Sequence, residues 1–291
     1  MAHSGEMVRE RLPDRDYASV IAFVGVLYPL VTALETALRS LFSLPSLSAF
    51  ELTSALPIPL VLVVGPVALW GVPVGYVLGD VTSNAVGAHT LVGACAHLYL
   101  GYSASRLAGR LGIDAPVSAS SLAGRTVVGR FLLVVGVAAA GAAAVVGWGS
   151  EVVHRAPFFV AAPSAFAEFF LVTLAFALPW VRILRSAAAA GVPTVDVRPR
   201  GAGELDVRRV VGATLAWVLL GTAGSVGYRT FEKIPAQYFV SHGAEYALLL
   251  DRPALFGAGA GRVQAVFGAV CLSLLLCLLS GMLRGRGGAT K

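Results

Sequence analysis

Five ionisable side chains lie inside or at the ends of apolar segments, where an ionised group is energetically unfavourable. Such a group costs about 2.5 to 3.5 kcal/mol at the centre of a membrane helix, so each one is a candidate for function. The five residues are Glu35, Asp80, His89, His97 and Glu168. A buried charge needs a partner, and a few polar groups in an apolar setting are typical of a site for a small solute.

The composition places these residues in a lipid environment. Of the 291 residues, 57% are hydrophobic and 13% are charged. A soluble domain has about 45–50% apolar and about 25% charged residues. Mean hydropathy is +0.78. This argues against a soluble enzyme and, because long apolar runs recur, against a disordered chain. We expect a multi-pass protein of the cell membrane, surrounded by lipid.

Apolar stretches near the roughly 20 residues that a bilayer requires occur six times. They are 17–38, 89–105, 127–148, 163–181, 210–227 and 263–283. A further stretch, 52–79, is interrupted by Pro57, Pro59, Gly65-Pro66 and Pro73. It permits either one kinked helix or two short helices that meet near Gly65-Pro66.

The distribution of basic residues favours two helices. With eight spans and both termini on one side, 16 of the 22 Lys and Arg residues fall on that side. With seven spans, the Arg-rich loops 106–130 and 182–209 would face away from the N-terminus and the bias would disappear. Cytoplasmic loops carry excess Lys and Arg. We therefore predict an all-α bundle of about eight transmembrane helices with cytoplasmic termini, and the net charge of +6 reports orientation, not a nucleic-acid partner.

The apolar stretches and the charged loops between them divide the chain into segments. We predict a six-helix membrane unit and, after a cytoplasmic linker rich in Ala, Pro and charge, two further helices joined by a long outer loop. The segments are a cytoplasmic N-terminal segment (1–16), the six-helix unit (17–185), the linker (186–209), the final helix pair (210–283) with its loop (228–262), and a cytoplasmic tail (284–291).

On this topology the candidate residues collect in the outer half of the bundle. Glu35 and Asp80 end spans on the outer side, His89 begins one there, and Glu168 lies about one and a half turns into another. The predicted substrate-binding set is Glu35, Asp80, Asn84, His89, His97 and Glu168. An alternative interpretation is that Glu35, Asp80 and His89 only mark the membrane interface, where burial costs little.

Several kinds of chemistry are disfavoured. His89 and His97 are eight residues apart, roughly 12 Å along a straight helix, so they cannot share one metal ion. The three cysteines lie in apolar segments without CxxC spacing. No HExxH, GxSxG or Walker motif is present. We expect no catalytic residue, metal or cofactor; an intramembrane enzyme pairing His97 with a carboxylate ranks last.

The stretch Pro57-Ile-Pro-Leu-Val-Leu-Val-Val-Gly-Pro66, followed by Gly71 to Gly79-Asp80, resembles helices two and three of the substrate-binding S components of energy-coupling-factor (ECF) transporters. The Ala18-xxx-Ala22 spacing and the segments 92–102 and 157–179 are also similar to that family. The resemblance covers about residues 17–185 and does not include the final two helices.

This resemblance implies capture of a vitamin-like solute from the outside, by a protein without catalysis of its own. Ala18 and Ala22 would contact a transmembrane coupling subunit, and separate ATPases would supply energy. The alternative is a membrane scaffold or accessory subunit that docks a partner protein, which the extra helices, the long outer loop and the small-residue faces would suit.

Overall fold

The computed structural model describes residues 14–42, 51–113, 125–153, 155–192, 194, 205–232 and 262–280. Within these residues all regular structure is helical and there is no strand, so the predicted all-α class is confirmed. Most of the predicted N-terminal segment (1–16) and outer loop (228–262), the middle of the linker (186–209) and the whole tail (284–291) lie outside the described residues.

Eight α-helices and one 3₁₀ turn follow one another in the described residues. They are α1 (Asp14–Phe42), the 3₁₀ turn (Leu52–Ala55), α2 (Pro57–Val63), α3 (Ala68–Thr82), α4 (Ala88–Leu111), α5 (Arg125–Val152), α6 (Phe158–Ala189), α7 (Val207–Glu232) and α8 (Arg262–Ser280). The stretch 52–79 thus forms two helices. The chain turns between them at Gly65, whose φ of +105° suits glycine, and Pro66 follows.

Four helical segments in the described part are long and apolar enough to cross a bilayer: Asp16–Leu41, Thr126–Val152, Phe158–Ala189 and Val207–Gly227. This is the character of a multi-pass membrane protein. By contrast α2 has seven residues, roughly 10 Å of helix at 1.5 Å per residue. All of its side chains from Pro57 to Val61 are buried, and it contacts α3, α4 and α6. The short helix is therefore enclosed by protein.

A row of glycines brings α3 against α1. Gly71, Gly75 and Gly79 are four residues apart, so they share one face of α3. Gly71 faces Val24 and Gly79 faces Thr32. A Cβ atom added at Gly71 would lie 2.7 Å from the Val24 Cβ, and one added at Gly79 would lie 2.9 Å from the Thr32 Oγ1. Because the contacts advance in the same direction along both helices, α1 and α3 are parallel. Small residues permit this close backbone approach.

The other neighbouring helices, from α3 to α6, pack in antiparallel pairs. Leu69, near the start of α3, meets Gly101 of α4, whereas Tyr76, near the end of α3, meets Gly93. Such antiparallel pairing also relates α4 to α5 and α5 to α6, through glycine contacts on α5. One end of the bundle therefore holds the end of α3 and the start of α4.

The last two helices belong to the packed bundle. Trp217 of α7 and Leu275 and Leu279 of α8 are buried in the same hydrophobic cluster as α4, α5 and α6. The buried Arg106 of α4 donates its Nε–H to the Leu279 carbonyl oxygen at 2.7 Å. A carbonyl in the last turn of a helix lacks an intrahelical partner, and a cation there is favourable. A second cluster joins α1, α2 and α3.

Candidate functional site

Two short rows of polar side chains interrupt the apolar surfaces of α1 and α3. On α1 the row is Tyr28, Thr32, Glu35 and Arg39, and on α3 it is Tyr76, Asp80 and Ser83. Spacings of three and four residues place each row on one helical face. Since the two helices are parallel and in close contact, both rows end at the same end of the bundle.

The two rows border a cavity of about 230 Å³. The volume is slightly below the roughly 300–1,000 Å³ of pockets that hold drug-sized ligands, and so suits a small solute. The lining residues come from α1, the 3₁₀ turn and the residue before it, α3, the loop between α3 and α4, and the first turn of α4: Tyr28, Thr32, Glu35, Thr36, Arg39, Glu51, Thr53, Tyr76, Asp80, Ser83, Ala85 and His89. Three of the predicted residues, Glu35, Asp80 and His89, therefore share one cavity.

Glu35 is held by the protein itself. It is 8% exposed, forms an ion pair with Arg39 one turn later, and accepts a hydrogen bond from the Leu52 backbone N–H at 2.9 Å through Oε2. The carboxylate thereby links the end of α1 to the start of the 3₁₀ turn.

Glu168 lies next to the cavity without lining it. Its Oε1 accepts hydrogen bonds from the Ser54 hydroxyl at 2.6 Å and from the Glu51 backbone N–H at 3.4 Å. Thr173, on the same helix, donates to the Ser54 carbonyl oxygen at 3.4 Å. Glu168 therefore connects α6 to the 3₁₀ turn, which Glu35 connects to α1.

Asp80 and Asn84 end up in different surroundings although they are four residues apart. Asp80 lines the cavity, and its buried Oδ2 has no hydrogen-bond partner among the described residues. Asn84 is exposed beyond the end of α3, with a φ of +54°, and does not line the cavity. Asn tolerates this left-handed conformation better than most residues, which accounts for its place in the turn.

His97 is buried beneath the cavity at 2% exposure. Its Nδ1 lies 2.9 Å from the Gly93 carbonyl oxygen, so Nδ1 carries the proton that is donated. The imidazole centroid is 4.6 Å from that of Tyr76 and 6.0 Å from that of Tyr28. Both tyrosines line the cavity, so His97 packs behind two residues of the wall and does not itself reach the cavity.

Glu51 is the principal residue that sequence reasoning missed. It precedes the apolar stretch 52–79, so it was not among the ionisable residues selected because burial in a membrane would be unfavourable. In the structure it lines the cavity, where burial and the carboxylates of Glu168, Glu35 and Asp80 raise its pKa to about 8, against a smaller lowering by Arg39. Close like charges disfavour ionisation.

Tyr28, Thr32 and Arg39 were also missed, although a signal for them exists. With Glu35 they repeat at spacings of four, three and four residues in an apolar helix. A polar row of that kind indicates a face turned away from lipid. Of this row only Glu35 lies within the predicted span 17–38 as an ionisable residue; Arg39 follows the span, and Tyr28 and Thr32 carry no charge.

The remaining predictions concern contacts with other molecules. Ala18 and Ala22 are exposed on α1, and their contact with a partner stays a prediction. Among the described residues, no three His, Cys, Asp or Glu side chains converge as metal ligands would. Comparison with protein-family models, curated proteins and solved structures finds no match to this chain.

Proposed function

We propose that this protein is an integral protein of the cell membrane that binds a small solute in the cavity at the outer end of its helix bundle. It captures the solute without catalysing a reaction. The observation that carries the proposal is the cavity itself, in which polar side chains from α1, α3 and two loops converge within an otherwise apolar bundle. Convergent polar groups in a concave, mainly apolar setting are the usual form of a small-molecule site.

The arginine distribution supports an outward orientation of the cavity. Arg106 and Arg110 lie at the end of α4 remote from His89, and Arg182 and Arg185 lie at the end of α6 remote from Glu168. Cytoplasmic ends of membrane helices are the ones that carry excess Arg. In the proposed topology both termini are cytoplasmic, and α2 and α3 run inward and back outward as a pair, because α2 with seven residues is too short to cross the bilayer by itself.

The resemblance to S components of ECF transporters agrees with this role. In the proposed mechanism the cavity captures a vitamin-like solute, the exposed face of α1 with Ala18 and Ala22 contacts a transmembrane coupling subunit, and separate ATPases drive uptake. The pair α7 and α8, which that family lacks, packs on α4, α5 and α6 and leaves the outer face of α1 uncovered among the described helices.

Co-purification of the solute tests the proposal. The protein is purified in mild detergent and denatured, and the released small molecules are identified by mass spectrometry. We expect one compound in near-stoichiometric amount, strongly reduced in an Asp80→Asn variant and unchanged in Asp206→Asn. Asp206 is a matched control because it is exposed before α7, where Asn also serves as a helix cap.

Two outcomes would overturn solute capture in this cavity. One is a preparation with no bound compound that also takes up none from a metabolite extract. The other is equal occupancy in Asp80→Asn and the unmodified protein. A stoichiometric partner protein that co-purifies equally with both forms, in the absence of any solute, would favour the scaffold role instead.

A further inference from the structure

The carboxylates around the cavity fall into two groups by their hydrogen bonds. Glu35 accepts from the Leu52 backbone N–H at 2.9 Å and is ion-paired with Arg39. Glu168 accepts hydrogen bonds from the Ser54 hydroxyl at 2.6 Å and from the Glu51 backbone N–H at 3.4 Å. Both carboxylates are engaged by donors of the protein, and both hold the 3₁₀ turn in place. They act as positioning residues for the wall of the cavity.

Asp80 and Glu51 form the second group. The buried Asp80 Oδ2 has no hydrogen-bond partner in the described part of the chain, and no described donor bonds to the Glu51 carboxylate. Both residues line the cavity. A carboxylate removed from water without a partner is destabilising, and an occupant that supplied donors and positive charge would remove this penalty.

Tyr28 gives an independent indication of an occupant. It lines the cavity and is fully buried, yet its hydroxyl has no hydrogen-bond partner among the described residues. Buried hydroxyl groups are nearly always hydrogen-bonded, so an unpartnered one at a cavity wall points to a missing polar ligand. The hydroxyl both donates and accepts, so it suits a ligand that carries N–H groups.

The charges decide the class of the ligand. Among the described lining residues there are three carboxyl groups and one guanidinium, that of Arg39, which is ion-paired with Glu35; Asp80 and Glu51 are therefore the groups that would accept a cation. The described residues hold no cluster with metal-ligand geometry, which favours an organic cation over a divalent metal. Because the Asp80 Oδ2 and the Tyr28 hydroxyl have no partner in the part of the chain that the structure describes, we expect the cation to carry N–H donors.

We infer that the cavity binds a small protonated amine or amidinium compound, whose positive group lies between Asp80 and Glu51. This inference rests on the proposed function and names the substrate class of the same site. A quaternary ammonium compound of equal size matches the charge but supplies no donor, so it should bind more weakly. Neutral and anionic compounds of the same shape should bind least.

A panel of four probes of similar shape tests the inference on the full-length protein in detergent. The probes are benzamidine, 1-ethylpyridinium, benzyl alcohol and benzoate, and their binding is followed by thermal stabilisation and calorimetry. We expect affinity in that order, with the amidinium at least about tenfold tighter than the alcohol. Asp80→Asn and Glu51→Gln should each weaken benzamidine at least about tenfold, and Asp206→Asn should leave it unchanged.

The outcomes separate this inference from solute capture. If the co-purified compound is neutral or anionic, or if benzoate or benzyl alcohol binds as tightly as benzamidine, the cation class is wrong while solute capture stands. If no compound co-purifies and no probe binds, both are wrong. The probe ranking on the unmodified protein needs no variant, so it decides even if Asp80→Asn fails to fold.

Discussion

Gly75 of α3 lies so close to Tyr28 of α1 that a Cβ atom added at Gly75 would be 2.8 Å from the Tyr28 Cβ and 2.9 Å from the Val24 carbonyl oxygen. Real Cβ atoms do not approach other atoms so closely, and the second neighbour is backbone, which cannot rotate away. Tyr28 lines the cavity. The tight packing of two parallel helices therefore positions a wall of the site.

We expect Gly75→Ala to destabilise the protein by about 1–3 kcal/mol, because overpacking at a close helix contact forces the backbones apart. Solute affinity should fall as well, since Tyr28 moves with α1. Unfolding in detergent, followed by circular dichroism, measures the first effect, and calorimetry with the solute or benzamidine measures the second.

Gly212→Ala is the matched control. Gly212 is exposed on α7 and has no atom within 4 Å of an added Cβ. Because Ala has a higher helix propensity than Gly by roughly 0.8–1 kcal/mol, this change should be neutral or stabilising. Equal stability of the two variants would show that α1 and α3 are not in close contact.

The raised pKa of Glu51 predicts a pH-dependent stability. Its folded-state pKa is about 8, above the ordinary value of 4.5, because of burial and neighbouring carboxylates. The folded protein thus keeps a proton that the unfolded chain releases, and its stability falls as pH rises from about 4.5 to 8. Glu51→Gln removes this loss. The melting temperature of the ligand-free variant should exceed that of the unmodified protein by more at pH 8 than at pH 5.

An equal difference at both pH values would contradict the pKa assigned to Glu51. The two forms are compared in the same detergent at constant ionic strength, because salt screens the neighbouring carboxylates.

Ser54 and Glu168 share a hydrogen bond, so the stability effects of replacing them should be coupled. Ser54→Ala leaves the Glu168 carboxylate with one donor fewer, which costs about 1–3 kcal/mol of stability. The double variant with Glu168→Gln should lose less than the sum of the single variants, by about 1–2 kcal/mol. Chemical unfolding of the four forms gives this coupling energy directly.

Ser103→Ala serves as its control, because the buried Ser103 hydroxyl bonds to carbonyls of its own helix, at Tyr99 and Leu100. Ser103→Ala should cost less stability than Ser54→Ala, and its cost should add to that of Glu168→Gln. Additivity of Ser54→Ala with Glu168→Gln would instead mean that the two side chains are not in contact.

The proposed topology predicts opposite accessibility for two exposed serines. Ser83 lies at the cavity end of the bundle, and Ser186 lies near the far end of α6. After replacement of the three native cysteines by alanine, Ser83→Cys should react with a membrane-impermeant maleimide in intact cells, and Ser186→Cys only after permeabilisation. The reverse pattern would invert the orientation, and equal labelling of both would contradict it.

Part of the site was predictable because it depends on local properties. Glu35, Asp80 and His89 stand out as ionisable residues at the ends of apolar segments, and helix alternation alone brings those ends together. Glu51 could not be found in this way. It is distinguished only by its neighbours in space, and one of them, Glu168, is 117 positions away in the chain.

The glycine contact shows a similar limit. The spacing of Gly71, Gly75 and Gly79 is visible in the sequence and indicates a face for close helix packing. It does not indicate which helix is packed there. Only the structure identifies α1 as that neighbour, and only then does Tyr28 become part of the wall of a cavity.

By itself the sequence predicted an all-helical, membrane-type protein and favoured a break near Gly65-Pro66, because hydropathy and charge act locally and add along the chain. It did not show that Pro73 would lie inside α3 without ending it. The tertiary structure decided which acids are satisfied and which are not. Glu35 and Glu168 meet protein donors, whereas the Asp80 carboxylate keeps an oxygen without one in the described part of the molecule. Hydrogen bonds depend on distances of about 3 Å between segments far apart in sequence, which no local pattern specifies.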